Sequence, residues 1–264
     1  MEAIEPLEDL LIESEDLIRR CIEALRGGEL LGGAVLGEIE LRYRLIGIAR
    51  LLTAADPSAF RDNLHRSGCA ALYLFELLDK GVDLEPKNLT VHENPGFADA
   101  VIAGDMELAA RLAELSPKQH YEGYEYEDDF LRYHLLHRML LGADDTELRG
   151  ILERWEGVME GQTSVAWALS TALVERDADA LREGLLDLID EHVTWFEEFR
   201  TQAGYIPEVD ASLGNVLMDG LVALRFAEMR GIATEREYRF MPDVARLPVG
   251  GPFPPRDAWR TPPG

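Results

Sequence analysis

Leu7, Leu10, Leu11, Leu17, Ile18, Cys21, Ile22 and Leu25 return at steps of three and four, beginning after Pro6 and stopping at Gly27-Gly28. That spacing lays apolar side chains along one stripe of an α-helix. The same pattern predicts a second helix from about Leu36 to Leu52. A third opens at Asp56-Pro57, an N-cap followed by proline at the first helical position, carries Phe60, Leu64, Leu72, Phe75 and Leu78, and ends at Gly81. Val82 to Asn94 reads as a connector. After Pro95 a helix from Phe97 to Ala103 stops at Gly104, and another, capped by Asp105, runs to Leu115.

Ser116 to Gly123 reads as a loop before a long helix from about Glu125 to Leu141, stopped by Gly142. Asp144-Asp145-Thr146 caps the next helix, to about Met159. Ser164 to Val174, Ala178 to Gln202 and Ser212 to Arg230 complete about ten helices, and no useful strand alternation interrupts them. Pro242, Pro248, Pro252, Pro254, Pro255, Pro262 and Pro263 make the end of the chain unfit for helix or sheet interior, so it is expected as an extended surface strap or a loose end. Ala100-Val-Ile-Ala-Gly-Asp105 echoes Ala172-Leu-Val-Glu-Arg-Asp177, each a helix, a turn with an aspartate cap, and a second helix. Two copies do not make a solenoid; they predict antiparallel helix hairpins. The expected fold is all-α, an irregular stack of such hairpins in one domain over residues 1–248, followed by a Pro/Gly-rich tail over 249–264.

Composition adds charge to this outline. Fifty acidic residues oppose 26 basic ones for a net charge of −24, yet 47% of the chain is apolar, which separates it from the low-hydrophobicity profile of a disordered chain. At 264 residues it buries enough surface to need no staples. Such a surface repels nucleic acid and anionic membranes and attracts cationic proteins. Cys21 and Cys69, far apart and within apolar helical patterns, read as two buried, reduced thiols. The first residues, Met1-Glu-Ala-Ile-Glu-Pro6, are acidic where a secretion signal is basic, and no apolar run approaches ~18 residues, so the protein is expected in the cytoplasm.

Candidate chemistry is sparse. His134 and His137 share one helix face and His120 precedes them, but no His-Glu-x-x-His or Glu-x-x-His pair supplies the spacing of a zinc or di-metal site, and His92-Glu93 has no second histidine at the required distance. Asp128-Asp129 resembles a magnesium-holding pair, but Arg132 and Tyr133 stand where a further carboxylate would be needed. Glu191, Glu197 and Glu198 around His192 and Trp195 read as a solvated face. Gly27-Gly28 and Gly32-Gly33 lack the lysine and hydroxyl of a phosphate loop. No catalytic residue, metal ligand or cofactor site is expected, and the chain does not read as an enzyme.

Residues 121–129 differ from this background. Glu122, Glu125, Glu127, Asp128 and Asp129 interleave with Tyr121, Tyr124 and Tyr126. Tyrosine is a rigid amphipathic contact enriched at binding hot spots, and carboxylates steer and pair with a basic partner. These eight residues are the candidate partner-binding site. A solvated loop whose acids stabilise the start of the next helix is the competing reading.

The chain resembles the bacterial immunity proteins of polymorphic toxin systems, in particular the all-helical group called immunity protein 49. The resemblance rests on Phe97 to Leu115 with its Ala-Gly-Asp105 turn, on Trp167 to Leu188 with Arg176-Asp177, and on Asn215 to Gly231 followed by Tyr238-Arg-Phe-Met-Pro242. It spans most of residues 50–248 and leaves out the Pro-rich tail. It implies an antitoxin that binds one cognate toxin domain, expected to be basic, with no catalytic residues to carry over. Two alternatives stay open: an acidic helical-repeat adaptor or regulator of another basic protein, and a helical enzyme with a His/carboxylate metal site.

Overall fold

The computed structural model describes residues 5–91 and 95–262; His92 and Glu93 therefore lie outside the described residues. These hold eleven α-helices and no strand: α1 Glu5–Arg26, α2 Ala34–Ala54, α3 Pro57–Asp79, α4 Gly96–Ala103, α5 Met106–Leu115, α6 Glu127–Leu140, α7 Asp145–Met159, α8 Val165–Glu175, α9 Ala178–Phe199, α10 Pro207–Ser212 and α11 Met218–Met229. No helix among the described residues is long and apolar enough to cross a membrane.

Local chemistry sets most of the boundaries. Asp56, Asp105, Asp144, Ser164 and Asp177 each accept hydrogen bonds from backbone amides in the first turn of the helix they precede. Each such cap is worth about 1 kcal/mol. The echoed turns fold alike: Gly104 (φ 80°) and Arg176 (φ 55°) both take the left-handed conformation, and the amides of Asp105 and Asp177 reach back to the carbonyls of Ala100 and Ala172 at 3.0 Å. One turn thus ends a helix and caps the next.

From α1 to α9 each helix packs on its predecessor, giving the stacked hairpins that the periodicity predicts. The last two helices close the array, α10 against α1 and α2, and α11 against α4 and α8. At the crossing of α3 on α4 the backbones approach closely: a Cβ on Gly96 would stand 2.3 Å from that of Ala71. Beneath it, Arg44 donates to Asp99 (2.8 Å) and to the Pro95 carbonyl (3.2 Å), and Ser67 donates to Asp99 (2.6 Å). Burial, reinforced by the nearby Asp99 carboxylate, pushes Glu40 in the same layer well above the usual carboxylate range.

The expected helix over 212–230 is corrected. Residues 213–217 leave the helical path because the Leu217 amide donates to the Phe240 carbonyl (2.8 Å), and the short α10 forms upstream with Pro207 in its first turn. The Pro-rich end is an anchored strap. Arg61 donates to the carbonyls of Val249, Gly251 and Pro252 and lies over the Phe253 ring, while Trp259, 2% exposed, joins the main core. The buried Tyr43 hydroxyl donates to the carbonyls of Trp259 (2.9 Å) and Thr261 (3.2 Å).

Candidate functional site

The acidic segment is a turn welded to the body by its own central carboxylate. Glu125 is buried, accepting from the Tyr121 amide through Oε1 (3.1 Å) and from the Val91 amide through Oε2 (3.2 Å), while His120 Nε2 donates to its carbonyl (2.8 Å). Gly123 supplies the positive φ, 85°, that lets the chain fold back over Tyr121. Tyr121 is half-buried against the core. Glu127 pairs with Arg154 of α7, Asp129 acts on Arg132, and both, with Asp128, sit in the first turn of α6, where carboxylates offset the helix dipole.

The eight candidate residues therefore divide. Glu125 holds the turn and is not offered to solvent. Tyr121, Glu127, Asp128 and Asp129 are partly covered. Glu122, Tyr124 (54% exposed) and Tyr126 (79% exposed) stand free above the platform.

The histidines behind this segment pack against aromatic rings. His137 is buried edge-on against Phe97, with ring centroids 4.2 Å apart, and burial drives its pKa down to about 3. His134 stacks on Phe130 at 5.4 Å, and its pKa is lowered mainly by burial. Among the described residues no three His, Cys, Asp or Glu side chains converge as a metal site. Arg132, beside Asp128-Asp129, is engaged with Asp219 of α11 at 3.0 Å.

One arrangement was not legible in the sequence. His65 Nδ1 donates to Asp105 Oδ2 (2.9 Å), and its Nε2 faces the Cys69 thiol (3.4 Å), the order of a nucleophile, base and orienting acid. The i, i+4 spacing of His65 and Cys69 was visible; that Asp105 completes the set depends on how α5 docks on α3. The Phe253 ring of the strap stacks on His65 at 4.9 Å, both His65 and Cys69 are buried, and burial pushes the Cys69 thiol up to about 12. The work of the set here is to tie α3 to the start of α5 and to seat the strap. Cys69 is buried as the sequence suggests, whereas Cys21 is only half-buried.

The outer face of α9 is the second place where acids and aromatics meet. Trp195 is 52% exposed, stacked on Phe199 at 5.1 Å and edge-on to Phe196 at 4.6 Å. Phe199 in turn leans on Tyr205, whose hydroxyl donates to Asp210 (3.0 Å). His192 of the same helix donates inward to the Gly214 carbonyl (3.2 Å), away from the acids.

Compared with protein-family models, curated protein sequences and solved structures, the chain gives no match in any of the three.

Proposed function

We propose that this protein is an immunity protein that neutralises a basic toxin domain by stoichiometric protein–protein binding. The observation that carries the reading is the rigid presentation of Tyr124 and Tyr126. The Glu125 carboxylate fixes the turn from below, so two large amphipathic side chains are held exposed before any partner arrives. Preorganised aromatics bind without the ordering cost that a flexible loop incurs. The charge of −24 favours a cationic partner and accelerates its capture, while the tyrosines supply the apolar contact that charge alone lacks.

The test is growth rescue. Cells producing a cognate basic toxin domain are expected to recover when the chain is co-expressed, and the purified toxin to be captured one to one, more weakly as salt rises. Tyr124→Ala with Tyr126→Ala lowers affinity at least tenfold while the helical circular dichroism spectrum is retained. Failure of the folded wild-type chain to rescue growth or to capture the toxin overturns the reading.

A further inference from the structure

The face of α9 carries a charge pattern that the rest of the fold leaves unanswered. From Glu183 to Glu198 the helix holds six carboxylates, Glu183, Asp187, Asp190, Glu191, Glu197 and Glu198, and not one Lys or Arg. Several recur one turn apart, a spacing at which like charges destabilise a helix. Some acids elsewhere in this chain are answered by an ion pair: Glu127 by Arg154, Glu147 by Arg138, Glu175 by Arg149 and Asp210 by Arg200. Among the described residues no such ion pair reaches Asp187, Asp190, Glu191 or Glu198. The Glu191 carboxyl is raised by partial burial and then by the Asp187 charge beside it; Arg132 offsets this only in part.

These acids rim an open groove of about 490 Å³ that runs from Val165 of α8 to the Trp195 ring. One face of that ring rests on Phe199, so its orientation is set in advance. A planar cation lying on the exposed indole would gain the cation–π interaction and meet carboxylates on the adjoining turns. Guanidinium suits such a seat better than ammonium because it stacks and donates in one plane.

We infer that the Trp195 groove of α9 is a seat for an arginine side chain of a cationic protein partner. Charge complementarity identifies the occupant: an open groove, an aromatic platform backed by Phe199, and a rim of four carboxylates. The seat deepens the reading of the protein as a binder of a basic toxin and rests on it for the partner's identity.

A short peptide of alternating glycine and arginine, its lysine counterpart and its glutamate counterpart provide the probes, with the full-length protein labelled for NMR at its four indole N–H groups. The arginine peptide is expected to shift the Trp195 resonance selectively and to bind several-fold more tightly than the lysine peptide, with no response to the glutamate peptide. Asp187→Lys with Glu191→Lys weakens arginine-peptide binding at least tenfold, and Trp195→Ala weakens it roughly fivefold to tenfold. Glu23→Lys, at an exposed acid of α1, leaves it unchanged. An unmoved Trp195 resonance at saturating arginine peptide, or equal weakening by Glu23→Lys, overturns the seat. Because the peptide readout needs no toxin, a chain that binds arginine at Trp195 yet fails to rescue cells keeps the seat and loses the toxin reading. A chain that rescues cells with an unmoved Trp195 does the reverse.

Discussion

Residues 121–129 and the outer face of α9 are built from the same materials, carboxylates interleaved with aromatic rings, and the fold uses them differently. In the first, Glu125 is buried as a brace for backbone amides, Glu127 is paired with Arg154, and the remaining acids of the first helical turn answer the α6 dipole. In the second, Asp187, Asp190, Glu191 and Glu198 rim an open groove without a partner from the described part of the chain. The denser cluster in sequence is the more completely neutralised in space. What distinguishes a docking charge from a structural one is whether the fold has already supplied its counter-charge, and linear density does not report that.

The largest test of this contrast is Glu125→Ala. It strands the amides of Val91 and Tyr121 and is expected to cost about 2–4 kcal/mol in urea unfolding, whereas Glu122→Ala stays within about 0.5 kcal/mol. Equal, small effects at both positions would erase the distinction between brace and surface.

His137, behind the same segment, gives the next effect. Its folded pKa, about 3, lies below the ordinary histidine value of 6.5, so the unfolded chain takes up a proton that the folded one refuses. Stability is unaffected above 6.5 and is lost progressively as pH falls from there toward 3, by about 2 kcal/mol at pH 5. His137→Leu is expected to remove that component, seen as a flatter dependence of the urea midpoint on pH between 6.5 and 4.

On the α9 side stability effects are smaller. Trp195→Ala loses its stacking on Phe199 and is expected to cost about 1 kcal/mol, less than any fully buried aromatic. A loss of several kcal/mol would mean that Trp195 belongs to the core. Smallest of all, Glu191→Gln is expected to stabilise the free protein by a few tenths of a kcal/mol at pH 7, after solvent screening is allowed for. The sign follows from its raised pKa: the folded state holds the proton longer, so the charged form is penalised above the folded pKa and the penalty vanishes below the ordinary value of 4.5. The gain of the variant should therefore disappear near pH 4. Destabilisation at pH 7 would show that Glu191 is already paired.

Much of the fold was legible because its signals are local. Asp56, Asp105, Asp144 and Asp177 each cap the helix that follows, and Gly104 ends α4 as its position before an aspartate suggests. The break between α10 and α11 was not, because the Leu217 amide is drawn from the helical path by Phe240, more than twenty positions away; Gly214-Asn215 and Pro207 were the only local hints. The strap is legible in the sequence only as an alternative to a loose end, since single anchors such as Arg61 leave no periodicity. In the candidate site the tyrosines could be picked from sequence, but the role of Glu125 could not. Its bond to Val91 spans 34 positions and depends on how the connector folds against α6.

The contact between Tyr43 and Trp259 joins residues 216 positions apart. On a ribosome adding about 5–20 residues each second, roughly ten to forty seconds separate the two. For most of that interval the nascent chain contains α2 and α3 but not the indole that covers them. Their packing is therefore completed only when synthesis has passed Trp259, and until then the growing protein carries an open apolar seat that must be kept from other chains.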